Sequence, residues 1–201
     1  MSEENYELVY EAKVITLGDS GVGKTNFIMR FIDDKFSFNY FSTYGIDAKF
    51  KNVYIKDNIQ IKFKIFDTAG QERFKSISHN YIKKADGVLL MYSIIDQDSY
   101  DNIEKWVKDI EENSEKKIPT ILIGTKCDLN DKRVIPKESG EQLAKKYGIK
   151  FYETSSKENI NIEKAFFDLG GQIMEKSKGK KVLKNLELKD KKPIKKKKEC
   201  C

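Results

Sequence analysis

The segment Gly18-Asp19-Ser20-Gly21-Val22-Gly23-Lys24-Thr25 constrains this chain more than any other feature. It fits G-x-x-x-x-G-K-[ST], follows the apolar run Val14 to Leu17 and precedes the helix-like stretch Lys24 to Ile32, so a strand must feed a helix through a glycine-bearing turn. Gly21 and Gly23 let the backbone curl until its N–H groups converge on phosphate oxygens, and the helix N-terminus adds positive potential. Lys24 is placed to reach β- and γ-phosphates, and the Thr25 hydroxyl to ligate Mg²⁺. Ser20, Val22 and Asn26 complete the loop expected against the nucleotide. The bland alternative, a chance glycine turn, has no reason to sit between a strand and a helix.

Around this loop the apolar pattern alternates between short strand-like and longer helix-like runs, the signature of an α/β fold with a mostly parallel sheet. Strands are expected at Ala12 to Leu17, Asp47 to Ile55, Ile59 to Phe66, Gly87 to Ser93, Thr120 to Gly124 and Lys150 to Glu153. Helices are expected at Lys24 to Ile32, Asp98 to Asn113, Lys137 to Tyr147 and Ile162 to Glu175. Asp57-Asn58 joins two strands directly, so one antiparallel edge hairpin is expected, in a six-stranded sheet with helices on both faces. No internal repeat divides the 201 residues, which suffice for one core. Gly170 and Gly171 interrupt the last helix-like run, at a cost of about 2 kcal/mol relative to alanine.

Charge separates the body from the C-terminus. Lys176 to Cys201 holds 12 Lys against Glu187, Asp190 and Glu199, a balance of +9; with +6 for the whole chain, residues 1–175 carry about −3. A basic tail suits an anionic membrane surface or nucleic acid, but the body lacks the basic face a nucleic-acid binder needs. No apolar run resembles a signal peptide or approaches the ~18 to 20 residues of a membrane span, so a cytosolic chain is expected. Three cysteines, one of them internal, offer no disulfide framework. The expected division is an N-terminal extension (1–11), a nucleotide-binding domain (12–176) and a flexible basic tail (177–201). Within the tail, Val182, Leu183, Leu186 and Leu188 read either as a docking segment for a partner or as a solvated linker.

A second cluster, Asp67-Thr68-Ala69-Gly70-Gln71, follows the strand ending at Phe66. Asp67 is placed to hold Mg²⁺ opposite Thr25, Gly70 to bring its N–H to a γ-phosphate, and Gln71 to orient an attacking water, since phosphoryl transfer needs positioning and charge neutralisation above all. Asp67-Thr-Ala-Gly-Gln-Glu-Arg-Phe74 resembles the corresponding signature of Rab GTPases of the Ras superfamily. That resemblance implies a P-loop GTPase fold, GTP and GDP as ligands with Mg²⁺, and slow hydrolysis in which Lys24 and Gln71 take part.

Discrimination of guanine needs an acceptor for its N1–H and exocyclic amine, and Asp128 in Thr125-Lys126-Cys127-Asp128 is the candidate. Rab proteins mostly have Asn where Thr125 stands, whereas many Rho-type GTPases have Thr. Lys126 is expected to cover the ring face. Thr154-Ser155-Ser156-Lys157 resembles the family's last base-contacting loop, with Ser156 in the usual alanine place donating its N–H to the guanine oxygen. By the same resemblance 36–48 is switch I, with Phe36 against the base, Tyr40 over the phosphates and Thr43 on Mg²⁺ and the γ-phosphate; switch II spans 67–81. The effector face departs from the family: Tyr44-Gly45-Ile46-Asp47-Ala48 replaces Ile-Gly-Ile-Asp-Phe and Phe66 replaces Trp, while Tyr81 is kept. His79, the only histidine, is expected at the switch surface. Ser20 crowds the γ-phosphate position and no switch I arginine is present, so unassisted turnover no faster than the ~10⁻⁴ s⁻¹ scale is expected.

The terminal Cys200-Cys201 resembles the Rab double-cysteine ending, which implies two geranylgeranyl groups beside the Lys195 to Lys198 run. The resemblance further implies an exchange factor, a GTPase-activating protein, a Rab escort protein or GDP-dissociation inhibitor, effectors on the switches, and a monomer that cycles between cytosol and the cytoplasmic face of intracellular membranes. A nucleotide-dependent adaptor without hydrolysis, and a P-loop kinase or ATPase, are the competing readings. Intact Lys24, Thr25, Asp67 and Gln71 argue against the first, and Asp128 against the second.

Overall fold

The computed structural model describes residues 6–38, 45–56, 59–68, 75–177 and 182–185, of which 6–8, 56, 75–78 and 182–185 are described by backbone alone. Six strands form one sheet in the order β2-β3-β1-β4-β5-β6: β1 (Tyr6–Leu17), β2 (Ile46–Lys56), β3 (Ile59–Thr68), β4 (Gly87–Ser93), β5 (Thr120–Thr125) and β6 (Lys150–Glu153). All neighbours are parallel except the edge pair β2 and β3. The helices are α1 (Lys24–Asp33), α2 (Lys75–Ile82), α3 (Gln97–Asp101), α4 (Ile103–Asn113), α5 (Lys137–Tyr147) and α6 (Ile162–Lys176). Strand β4 is buried along its whole length, as a strand covered on both faces must be.

Two apolar layers sandwich the sheet. On one face Phe166 of α6 stacks on Phe27 and Phe31 of α1 at centroid distances of 5.4 and 3.7 Å, and Phe63 of β3 meets Phe31 edge-on. This aromatic block fixes the helix that follows the glycine loop. Gly170 has a packing reason: a Cβ there would lie 2.9 Å from Ile61 Cδ1 and 3.0 Å from Phe63 Cζ, so its absence lets α6 approach the sheet. Gly171 faces open space. On the other face α4 buries Ile103, Trp106, Val107 and Ile110 at helical spacing.

Several boundaries differ from expectation. β1 begins at Tyr6, so much of the expected N-terminal extension is strand, paired with β3 from Leu8 onward. The stretch expected as one helix over 98–113 is divided at Asn102. Within switch II, α2 is helical. The largest departure is a seventh strand, β7 (Val182–Asn185), inside the expected tether and antiparallel to Tyr6–Val9 of β1. Its reason lies in the ladder: β1 pairs with β4 only from Val14, which leaves the backbone of residues 6–9 open on that side for a β-forming Val-Leu pair to complete. Asp57-Asn58 lies outside the described residues, although the strands it joins are antiparallel as expected.

Candidate functional site

In a parallel sheet the strands' C-terminal ends share one edge, and there the chain gathers the loop after β1, Asp67 at the end of β3, the loop after β5 and the loop after β6. The first loop is shaped by glycine. A Cβ on Gly18 would lie 2.0 Å from the Met91 carbonyl oxygen of β4, and Gly23 enters α1 at φ +100°. Lys24 folds back into the loop and donates to the carbonyls of Gly18 at 2.8 Å and Asp19 at 2.7 Å. An ammonium has three N–H donors, so one remains beyond these two carbonyls. Lys24 is 5% exposed, and burial pulls its pKa down to about 8 despite the carboxylates of Asp67 and Asp19.

Thr25 Oγ1 donates to Asp67 Oδ2 at 2.7 Å, joining the start of α1 to the end of β3. The other carboxylate oxygen, Oδ1, is buried and has no hydrogen-bond partner among the described residues. Burial raises the Asp67 pKa, against the Thr25 hydrogen bond and the charge of Lys24. A buried carboxylate with one orphaned oxygen next to a hydroxyl suits a hard divalent cation or one of its waters.

The loop after β5 is tied to the first loop twice. Thr125 Oγ1 lies 2.6 Å from the Val22 carbonyl oxygen and 2.9 Å from that of Tyr92, and Lys126, itself at φ 63°, donates through Nζ to the Gly21 carbonyl at 2.8 Å. Threonine in the usual asparagine place thus still fastens β5 to the loop. Ser155 Oγ donates to Asp128 Oδ1 at 2.6 Å and accepts from Glu158 N–H at 3.0 Å, so it orients the half-buried carboxylate. Arg133 forks onto Glu153 of β6 at 2.6 and 2.9 Å, bracing the same two loops.

Three ties were not legible in the sequence, although Asn26 itself was expected in the loop. Asp19 is held by Asn102 Nδ2 at 2.6 Å and Trp106 Nε1 at 2.8 Å, which fixes the loop against α4. Arg30 of α1 donates to the carbonyls of Ser156 at 2.6 Å and Lys157 at 3.2 Å, holding the third loop against the first helix. Asn26 Nδ2 donates to the Ser37 carbonyl at 2.9 Å and its Oδ1 accepts from Ser37 N–H at 3.3 Å, which steers the segment after α1. None of these ties has a local pattern to announce it.

Of the remaining predicted residues, Ser20 and Gly21 are exposed on the loop and Val22 is buried beneath it. Phe36 is half-buried with its ring edge-to-face on Phe38, 4.9 Å between centroids. The Lys157 side chain pairs with Glu158 at 3.2 Å. Phe66 and Tyr81 meet at 4.7 Å beside Ala48. His79, expected at the surface, is half-buried, and its Nε2 has no partner among the described residues. Tyr40, Thr43, Gly70, Gln71, Cys200 and Cys201 lie outside the described residues.

A glycine-shaped loop, a lysine folded back into it and a braced carboxylate on a single strand-end rim define a P-loop nucleotide-binding domain of the Ras type. Comparison with known proteins carries this further: the Ras family profile matches residues 13–175. The chain is 46% identical over 177 residues to the Ras-related protein Rab-10 of Diplobatis ommata, covering 88% of this chain and 87% of that protein. It is 47% identical to Rab-8B of Homo sapiens and 48% identical to Rab-8A of Rattus norvegicus, each over 167 residues, 83% of this chain and 80% of the relative. The chain belongs to the Ras family, in its Rab branch: it is a small GTPase of vesicular traffic that hydrolyses GTP to GDP.

Proposed function

We propose that this GTPase works as a membrane-anchored switch whose nucleotide lies across the strand-end rim, phosphates on the Ser20 to Asn26 loop and guanine between Lys126, Asp128 and the Ser155-Ser156-Lys157 loop. The observation that carries the reading is the convergence of Lys24, the Thr25–Asp67 pair and the Ser155-oriented Asp128 on one edge, contributed by four separate loops. The remaining N–H of Lys24 binds a phosphate oxygen, and the nucleotide's charge favours its protonated form. Asp128 accepts from the guanine N1–H and amine, and Phe36 packs beside the base.

Thr25 and Asp67, with Thr43, are the residues that would hold Mg²⁺, and the orphaned Asp67 Oδ1 supports the fit. When bound, the ion neutralises charge on the phosphate oxygens. Gln71 orients the attacking water, Tyr40 lies over the phosphates, and Thr43 and Gly70 sense the γ-phosphate, so its loss releases both switches and their effectors. Without an arginine in switch I, fast turnover requires a GTPase-activating protein in trans. An exchange factor reloads the protein, and an escort protein or GDP-dissociation inhibitor handles a tail geranylgeranylated on Cys200 and Cys201. The monomer cycles between the cytosol and the cytoplasmic face of intracellular membranes; no helix among the described residues is long and apolar enough to cross one.

Single-turnover hydrolysis tests the enzymatic part. Purified wild type releases phosphate from GTP over tens of minutes or longer, and Gln71→Leu slows this further. Conversion within minutes without a partner, or an unchanged rate in Gln71→Leu, contradicts the roles given to Ser20 and Gln71. Membrane fractionation of Cys200→Ser/Cys201→Ser tests the anchor: the variant is soluble, and persistent membrane attachment overturns the lipid assignment.

A further inference from the structure

The end of the domain opposite the nucleotide rim carries a cavity of about 410 Å³ that the switch reading does not use. It opens between the turn that precedes β4, the turn that precedes β5 and the C-terminus of α6, so it lies at the strands' N-terminal edge. Ile118, Pro119 and Ile173 give it an apolar floor, and Lys116, Lys117 and Lys176 stand around it. We propose that this cavity binds the phosphorylated headgroup of an anionic membrane lipid.

The charge argument is local. Residues 1–175 carry about −3 in total, yet the two turns here contribute exposed Lys83, Lys84, Lys116 and Lys117 against Glu115, and α6 ends in exposed Glu175 and Lys176, of which Lys116, Lys117 and Lys176 line the cavity and neither glutamate does. Asp86 is the acidic residue lining the cavity, and it is turned to β1: Oδ2 accepts from Lys13 N–H at 2.9 Å and its own N–H donates to the Lys13 carbonyl at 2.7 Å. Lys176 Nζ donates to the Lys117 carbonyl at 2.9 Å, which joins helix to turn and leaves two N–H donors for a ligand. No ion pair of Lys116 or Lys117 occurs among the described residues. A helix C-terminus repels anions, so affinity here must come from the three ammonium groups and not from the α6 dipole.

Position selects the lipid over other phosphates. The basic tail leaves from the cavity's rim at Ser177, and β7 returns residues 182–185 to Tyr6–Val9 at the same end of β1. Residues 186–201, 16 in number, then remain between the sheet and the terminal cysteine. A lipid-anchored molecule therefore keeps this end nearest the bilayer, where each lysine beside an anionic leaflet contributes about a fivefold gain in affinity. The membrane source rests on the anchoring reading above; the headgroup chemistry does not.

The test uses the GDP-loaded full chain carrying Cys200→Ser/Cys201→Ser and ¹⁵N label, titrated with inositol trisphosphate and separately with inorganic phosphate. Saturable shifts of the Asp86, Lys117, Ile118 and Ser177 amides with inositol trisphosphate are expected. They disappear in Lys116→Gln/Lys117→Gln/Lys176→Gln, whose retained GDP shows that it is folded. Shifts confined to the Lys195 to Lys198 run, or unchanged in the triple variant, overturn the site. Equal affinity for inorganic phosphate overturns the lipid assignment. In a second arm, the triple variant binds vesicles of phosphatidylcholine with phosphatidylinositol bisphosphate at least about tenfold more weakly. Undiminished vesicle binding contradicts the proposal even if the anchor itself is correct.

Discussion

Thr125 stands where the resemblance to Rab proteins leads one to expect asparagine, and Thr125→Val isolates what it does. The residue is 4% exposed, and its hydroxyl lies within bonding distance of two carbonyls, Val22 at 2.6 Å and Tyr92 at 2.9 Å. It has a single hydrogen, so it serves one of them at a time, the shorter contact being to the phosphate loop. Valine keeps the shape and removes the hydroxyl, leaving buried carbonyl oxygen without that donor; such a loss costs about 1–3 kcal/mol. Taking about 2 kcal/mol, a domain of this size should melt about 4–8 °C lower. The part borne by the nucleotide complex should raise the GDP dissociation rate by up to about thirtyfold. Thr125→Ser keeps the hydroxyl and should stay close to wild type in dissociation, although it loses a methyl group. Fluorescent-GDP release and thermal melting of the three proteins decide the matter. A valine variant within about twofold of wild type in release, with serine the more damaged of the two, would refute the claim that this hydroxyl fastens β5 to the loop.

Three further outcomes follow from the geometry. Gly170→Ala should destabilise by about 1–3 kcal/mol, because its Cβ would press on Ile61 and Phe63, whereas Gly171→Ala, into open space, should stabilise by up to about 1 kcal/mol; denaturant midpoints of opposite sign check this. Burial sets the pKa of Lys24 to about 8 in the nucleotide-free protein, so the group is about three-quarters neutral at pH 8.5 and about a tenth neutral at pH 7. Because phosphate favours the charged form, GDP binding should take up about 0.7 proton at pH 8.5 and almost none at pH 7, measured by calorimetry in buffers of different ionisation heat. Trp106→Phe deletes the indole donor to Asp19 and should speed GDP release by about fivefold through about 1 kcal/mol of lost loop anchoring; an unchanged release rate would remove Asp19 from the account.

What the sequence disclosed and what it withheld divide along physical lines. The strand, glycine loop and helix at 14–32, and the buried β4, rest on local periodicity and turn chemistry, and these read correctly from one stretch of chain. Lys24, Thr25 and Asp128 were legible as candidates from type and spacing, and the structure places them on one edge of the sheet. The braces are another matter. Arg30 meets Ser156 across 126 positions and Trp106 meets Asp19 across 87, and no local pattern encodes such partners. Gly170 looked like a helix defect until the fold put Ile61 and Phe63 against it. The Val182–Asn185 strand was hidden by its lysine-rich surroundings, since its reason is an open ladder on residues 6–9. Tail composition missed these four residues because their place is set by another strand's backbone.

The central claim, that this rim selects guanine, is tested most directly by competition between GDP and ADP for protein stripped of nucleotide. Hydrogen bonds to Asp128 in a site closed by Ser155 and Lys126 predict a preference for GDP of about 10⁴-fold, lost in Asp128→Ala. Affinities for the two nucleotides within tenfold of each other in the wild type would contradict it.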